Sequence, residues 1–149
     1  MKRVVEMKKL EPSIKEIVAA GGNVKLTVTG KSMLPILMEY RDSVILEKTS
    51  KLKKGDIALY RRSNGDYVLH RVVKIKKDGI AMCGDNQKVI EYPIMPEQII
   101  ATCSAIIRKG KRIEKNNFVY RLIVFAWISL IPFRPQLYRL AKNIRKRLK

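Results

Sequence analysis

Ile57-Ala58-Leu59-Tyr60-Arg61, then Ser63-Asn64-Gly65-Asp66, then Tyr67-Val68-Leu69-His70-Arg71-Val72-Val73-Lys74-Ile75 is the stretch that decides the fold. Two runs rich in β-branched and aromatic residues flank an Asn-Gly pair, and both residues of that pair tolerate positive φ. This is the signature of an antiparallel hairpin. The same grammar extends on either side. Lys25-Leu26-Thr27-Val28-Thr29 alternates with period two, and Ser43–Glu47, Ile80–Cys83 and Ala101–Ile107 are further strand candidates. Lys54-Gly55-Asp56, Lys77-Asp78-Gly79 and Gly84-Asp85-Asn86 separate them as tight turns. Ahead of the strands, Glu11-Pro12-Ser13 reads as a helix start, and Ile14, Ile17 and Val18 recur at helical spacing until Gly21-Gly22. The expectation is a mostly β domain, a folded antiparallel sheet or barrel behind one short N-terminal helix.

Charge divides the 149 residues in two. Residues 1–116 carry 24 basic and 13 acidic side chains, a net +11, whereas 117–149 carry eight basic ones and no acid. Phe118–Phe133 is apolar except for Arg121. Arg134–Lys149 then places Leu137, Leu140, Ala141, Ile144 and Leu148 on one helical face among basic residues. The second part therefore reads as an apolar segment plus a basic amphipathic helix, associating with a membrane either across it or in its interface. A surplus of +19 for the whole chain suits a polyanionic partner. No helix-turn-helix or RNA-binding aromatic box is present and the cations are dispersed, so an anionic membrane surface is expected and nucleic acid is not. Met1–Leu10 is charged with no apolar run after it, so no secretory signal is expected there. Cys83 and Cys103 lack metal-ligand spacing and read as small buried hydrophobes. One histidine excludes a His-rich zinc site, and no metal or cofactor is expected.

Gly30-Lys31-Ser32-Met33-Leu34-Pro35-Ile36-Leu37 follows a strand directly. A serine at a strand end, before an apolar turn fixed by proline, can present its Oγ and keep its own N–H free for a developing oxyanion. Such a serine needs a base, and His70 is the usual neutral-pH candidate. Asp85, on a turn after another strand, could orient the imidazole.

Taken in order, Gly30-x-Ser32-Met33-x-Pro35-x-Leu37, Lys54-Gly55-Asp56-Ile57, His70-Arg71-Val72-Val73 and Gly84-Asp85-Asn86 resemble the four boxes of the type I signal peptidases. Those enzymes belong to a wider group that includes the LexA-like self-cleaving repressors. The resemblance spans Gly30 to Asn86. It implies Ser32 as nucleophile, His70 as general base where most bacterial members carry lysine, and Asp85 as orienting acid. The activity it implies is serine endoproteolysis of exported or leader-bearing polypeptides, with small side chains near the cut. A catalytically silent peptidase-like module, binding membrane or nucleic acid, is the alternative. A histidine base, with an ordinary pKa near 6.5, need not be desolvated to be neutral at pH 7.

Overall fold

The computed structural model describes residues 6–148. Helix α1 (Met7–Ala19) leads into β1 (Val24–Thr27), β2 (Ser43–Glu47), β3 (Ile57–Arg61), β4 (Tyr67–Lys76), β5 (Gly79–Cys83), β6 (Glu91–Ile94), β7 (Ile99–Arg108) and β8 (Lys111–Glu114). Helices α2 (Phe118–Ser129) and α3 (Arg134–Arg147) follow. The strands form one antiparallel sheet in the order β1-β2-β7-β3-β4-β5-β6, with β8 paired to β7. The expected mostly β architecture, with a short N-terminal helix and a helical C-terminal segment, is the one observed. The Asn64-Gly65 hairpin pairs β3 with β4 from Ile57↔Arg71 to Arg61↔Tyr67.

Local boundaries depart from the pattern for physical reasons. Helix α1 begins at Met7 and carries Pro12 inside it, rather than starting at Glu11. Met7 and Leu10 pack with Ile14 and Val18 on the main core, so burial of that apolar face outweighs the missing N–H of the proline. Strand β8, Lys111-Arg112-Ile113-Glu114, has no apolar alternation. Lys109 and Gly110 both take positive φ, at 51° and 77°, and this two-residue turn returns the chain onto β7 with Arg108 opposite Lys111. Strand β6 contains Pro93 and lies at a sheet edge, where a missing donor costs no ladder bond.

The main core lies between α1, β1, β2, β3 and β7, and it takes in Met33 and Leu37 from the loop after β1. A second cluster gathers Tyr60, Val68, Val72, Ile80 and Met82. A third joins Cys83 to Val124, Ile128 and Ile131. Both cysteines are free and buried. Helix α2 is therefore packed against the β domain on its inner face, although composition sets 117–149 apart from 1–116. Its outer residues Phe118, Val119, Leu122 and Ile123 are each more than half exposed. Among the described residues no single helix is long and apolar enough to cross a bilayer. Phe118–Ser129 and Ile131–Arg147 reach that length and apolarity only together, bent by 52°.

Deletion of residues 117–149 uncovers Cys83 and Val73 and removes Val124, Ile128 and Ile131 from the third cluster. Losing several such burials, at about 1.5–3 kcal/mol per large aliphatic side chain, should lower the thermal midpoint markedly in calorimetry. An unchanged midpoint would show that α2 adds nothing to the fold.

Candidate active site

The loop 28–42 is pinned at both ends of its apolar turn. Met33 and Leu37 are four residues apart, both buried, and Leu37 N–H donates to Met33 O at 2.9 Å. Asp42, fully buried, closes the loop: its carboxylate accepts the Met38 N–H at 2.8 Å and the Lys109 N–H at 3.1 Å, and both its oxygens accept from Arg41. The Arg41 hydrogen bonds, helped by the two backbone donors, hold that carboxyl well below its usual range. Ser32 is left half-buried at the start of the turn. Its own N–H donates to no protein acceptor among the described residues.

Ser32 and His70 line the same cleft, a space of about 600 Å³ walled by apolar side chains such as Leu26, Val28, Met33 and Leu59. His70 sits in the middle of β4, opposite Ala58. Its ring is buried beside Tyr60, with the two ring centroids 6.0 Å apart in an edge-on arrangement. Tyr60 has one hydroxyl proton, and it goes to Glu91 Oε2 at 2.8 Å. The phenol oxygen therefore acts as acceptor toward His70 Nδ1, 3.2 Å away, and Glu91 Oε1 lies 3.5 Å from the same nitrogen. This places the imidazole proton on Nδ1 and leaves Nε2 as the unprotonated nitrogen. Arg62 in turn donates to Glu91 through Nε at 3.0 Å and through Nη2. Burial pushes the His70 pKa down to about 4, with Glu91 pulling it up, Arg62 pushing it down, and Asp85 a smaller pull upward. The hydrogen bonds from Arg62, and then that from Tyr60, keep Glu91 below its ordinary value despite burial.

Asp85 occupies a different position from the one expected of it. Its two oxygens accept from Arg71 Nε and Nη2, both at 2.7 Å, in a fully buried bidentate pair. Arg71 Nη1 continues to Gly55 O at 2.7 Å and to the Tyr120 hydroxyl at 3.3 Å. With both oxygens held by guanidinium, Asp85 makes no hydrogen bond to the imidazole; the carboxylate beside Nδ1 is Glu91. Arg71 and His70 are adjacent on a strand, so their side chains leave on opposite faces. That alternation separates the Asp85 pair from the imidazole. Sequence reasoning missed Glu91, Tyr60 and Arg62. The available signal was Tyr60 on the strand partnering His70, but Glu91 arrives from a short edge strand that has no motif of its own.

The turn Gly84–Gln87 links both halves of the site. Asn86 N–H donates to Ser32 O at 2.8 Å, and Asn86 Nδ2 donates to Lys31 O at 3.2 Å. Gly84 approaches so closely that a Cβ there would stand 2.6 Å from Ser32 O. From the other side, Trp127 Nε1 donates to Asp85 O at 2.8 Å. Arg134, buried with its guanidinium carbon 4.9 Å from the Trp127 ring centroid, donates to Gly84 O at 3.1 Å and Gln87 O at 2.6 Å.

A family model described as Peptidase S24-like matches residues 4–120, which takes in the Ser32 loop, His70, the Asp85 turn and Glu91. The chain belongs to the Peptidase S24-like family. No curated protein and no solved structure gives a match. The family assignment accounts for a peptidase-type fold. Within it, this Peptidase S24-like chain has its only histidine lining the same cleft as Ser32.

Two substitutions separate scaffold from site. Asp85→Asn leaves the buried Arg71 charge uncompensated and should cost about 3–5 kcal/mol of stability, read as a lower denaturation midpoint. Glu91→Gln should keep the fold and move the imidazole titration below that of the wild type, because Glu91 raises the His70 pKa. With one histidine in the chain, proton NMR reads that titration without overlap. An imidazole pKa unmoved by Glu91→Gln would remove Glu91 from the assignment.

Proposed function

We propose that this chain is a serine endopeptidase of the signal-peptidase type, working through Ser32 and His70. The observation that carries the reading is the shared cleft, lined by a half-buried serine and by an imidazole kept neutral and fixed in the tautomer a general base requires. His70 Nε2 takes the Ser32 hydroxyl proton as Oγ attacks the scissile carbonyl. The Ser32 N–H donates to the developing oxyanion. Glu91, through Tyr60 and directly across 3.5 Å, balances the imidazolium that forms. The proton then passes to the leaving amine, and His70 activates the water that cleaves the acyl-enzyme. Asp85 serves this chemistry as a positioning residue, because its turn holds the Ser32 loop. The substrate class is exported or leader-bearing polypeptide lying in the apolar cleft, with small side chains next to the cut.

We further propose that the enzyme lies on an anionic membrane surface. The outer face of α2, the apolar residues Leu140 and Ile144 of α3, and Leu148 just after it are exposed, with Arg139, Lys142 and Arg145–Arg147 around them. The docked inner face of α2 favours lying in the interface over spanning it.

Ser32→Ala and His70→Ala should each lower peptide cleavage by about 10⁴-fold or more, and the double variant should be hardly worse than either single one. Additive losses in single-turnover assays would argue against a serine and histidine acting as one unit. The acid limb of kcat/KM should have its midpoint near 4 rather than near the ordinary histidine value, since only neutral His70 accepts the proton and burial holds its pKa at about 4. Activity should therefore be flat from about pH 6 to 8. A limb centred near pH 6.5 would mean that the imidazole is solvated.

A further inference from the structure

A second cleft, of about 260 Å³, opens between the turn after β2 and helix α2. Ile57, Ala105, Ile106, Val124 and Phe125 supply its apolar wall. Its rim carries Lys51, Lys53, Lys54, Lys115 and Arg121, against the single carboxylate of Asp56. That carboxylate accepts the Lys53 backbone N–H at 2.9 Å, and Lys115 is paired with Glu47 at 2.8 Å. Among the described residues Lys51, Lys53, Lys54 and Arg121 have no acidic partner, and Arg121 stands over the Phe125 ring at 5.6 Å. Four unneutralised cations around one small cleft repel each other unless an anion joins them.

We propose that this cleft is a binding site for the phosphate headgroup of an anionic phospholipid; the inference rests on the membrane reading above. Charge and position name the occupant together. The cations ask for a phosphate. Phe118, Val119, Leu122 and Ile123, more than half exposed on the helix that forms one wall, ask for acyl chains beside it. A free phosphate leaves that apolar stripe in water, and a nucleic acid offers it nothing apolar. A bound headgroup would fix the depth and angle of α2. Through Trp127 on Asp85 O, that same helix reaches the turn that holds the Ser32 loop.

The test is sedimentation of the full chain with phosphatidylglycerol vesicles and with phosphatidylcholine vesicles. It compares wild type with Lys53→Gln/Lys54→Gln and with the charge-matched control Lys74→Gln/Lys77→Gln, whose side chains do not line the cleft. The cleft variant should lose about thirty-fold in affinity for the anionic vesicles, the factor that ~1 kcal/mol per cation gives for two cations. The control should lose less than about fivefold. Lys51→Gln/Arg121→Gln, which shares no substitution with the first variant, should repeat the loss if that one folds poorly. Equal losses in cleft variant and control would overturn the site while leaving membrane association standing. Wild type that stays off both vesicles overturns both. Equal binding to the two vesicle types, equal occupancy by dissolved glycerol phosphate, or tighter binding to duplex DNA would each overturn the headgroup assignment.

Discussion

The buried pair of Arg71 with Asp85 is the joint on which the rest of the molecule turns. Two ions taken out of water are costly unless geometry and added hydrogen bonds compensate, and here both conditions hold. The carboxylate is gripped by two donors at 2.7 Å, and the remaining guanidinium nitrogen reaches Gly55 O and Tyr120. One interaction thereby ties the turn before β3, the middle of β4, the turn after β5 and the first turns of α2. The Gly84–Gln87 turn, so anchored, can hold the Ser32 loop through Asn86 while Trp127 and Arg134 seal its outer carbonyls. Glycine at 84 is required by that closeness, since any side chain would meet Ser32 O.

On the other face of β4 the problem is the reverse. His70 is buried and held, and in the proposed mechanism it must still be a base. Burial favours its neutral form, and Tyr60 and Glu91 settle which nitrogen carries the proton. Arg62 keeps Glu91 ionised, so the carboxylate can offset an imidazolium without accepting its proton. A strand delivers these two arrangements to opposite sides with adjacent residues, His70 and Arg71. The His-Arg pair is thus one motif with two unrelated duties.

The C-terminal helices are two-sided as well. Tyr120, Val124 and Ile128 recur at four-residue spacing and face the β domain, while Phe118, Val119, Leu122 and Ile123 face away. An apolar segment that looks uniform in composition is divided by the helical period into an intramolecular contact and an exposed stripe. Arg134 shows the same economy. In sequence it begins a basic helix, but in the fold it is a buried capping group for the Gly84–Gln87 turn, stacked on Trp127.

What the sequence alone determined is local or ordered along the chain. The Asn64-Gly65 hairpin, the alternating strands, the short first helix and the set of boxes from Gly30 to Asn86 were all legible, because turn chemistry and side-chain period act over a few residues. The order of those boxes made Ser32 and His70 partners in expectation, and in the structure both line one cleft. What only the tertiary structure decided is which carboxylate lies beside the imidazole. Asp85, in the turn after β5, and Glu91, at the start of β6, are six residues apart, and no spacing rule tells which one a ring on β4 will meet. The sheet decides it, placing Arg71 and His70 on opposite faces and bringing each acid to a different one. Strand β8 and the burial of Arg134 were hidden for the same reason: polar residues acquire structural roles from partners distant in sequence, and those partners exist only once the chain has folded.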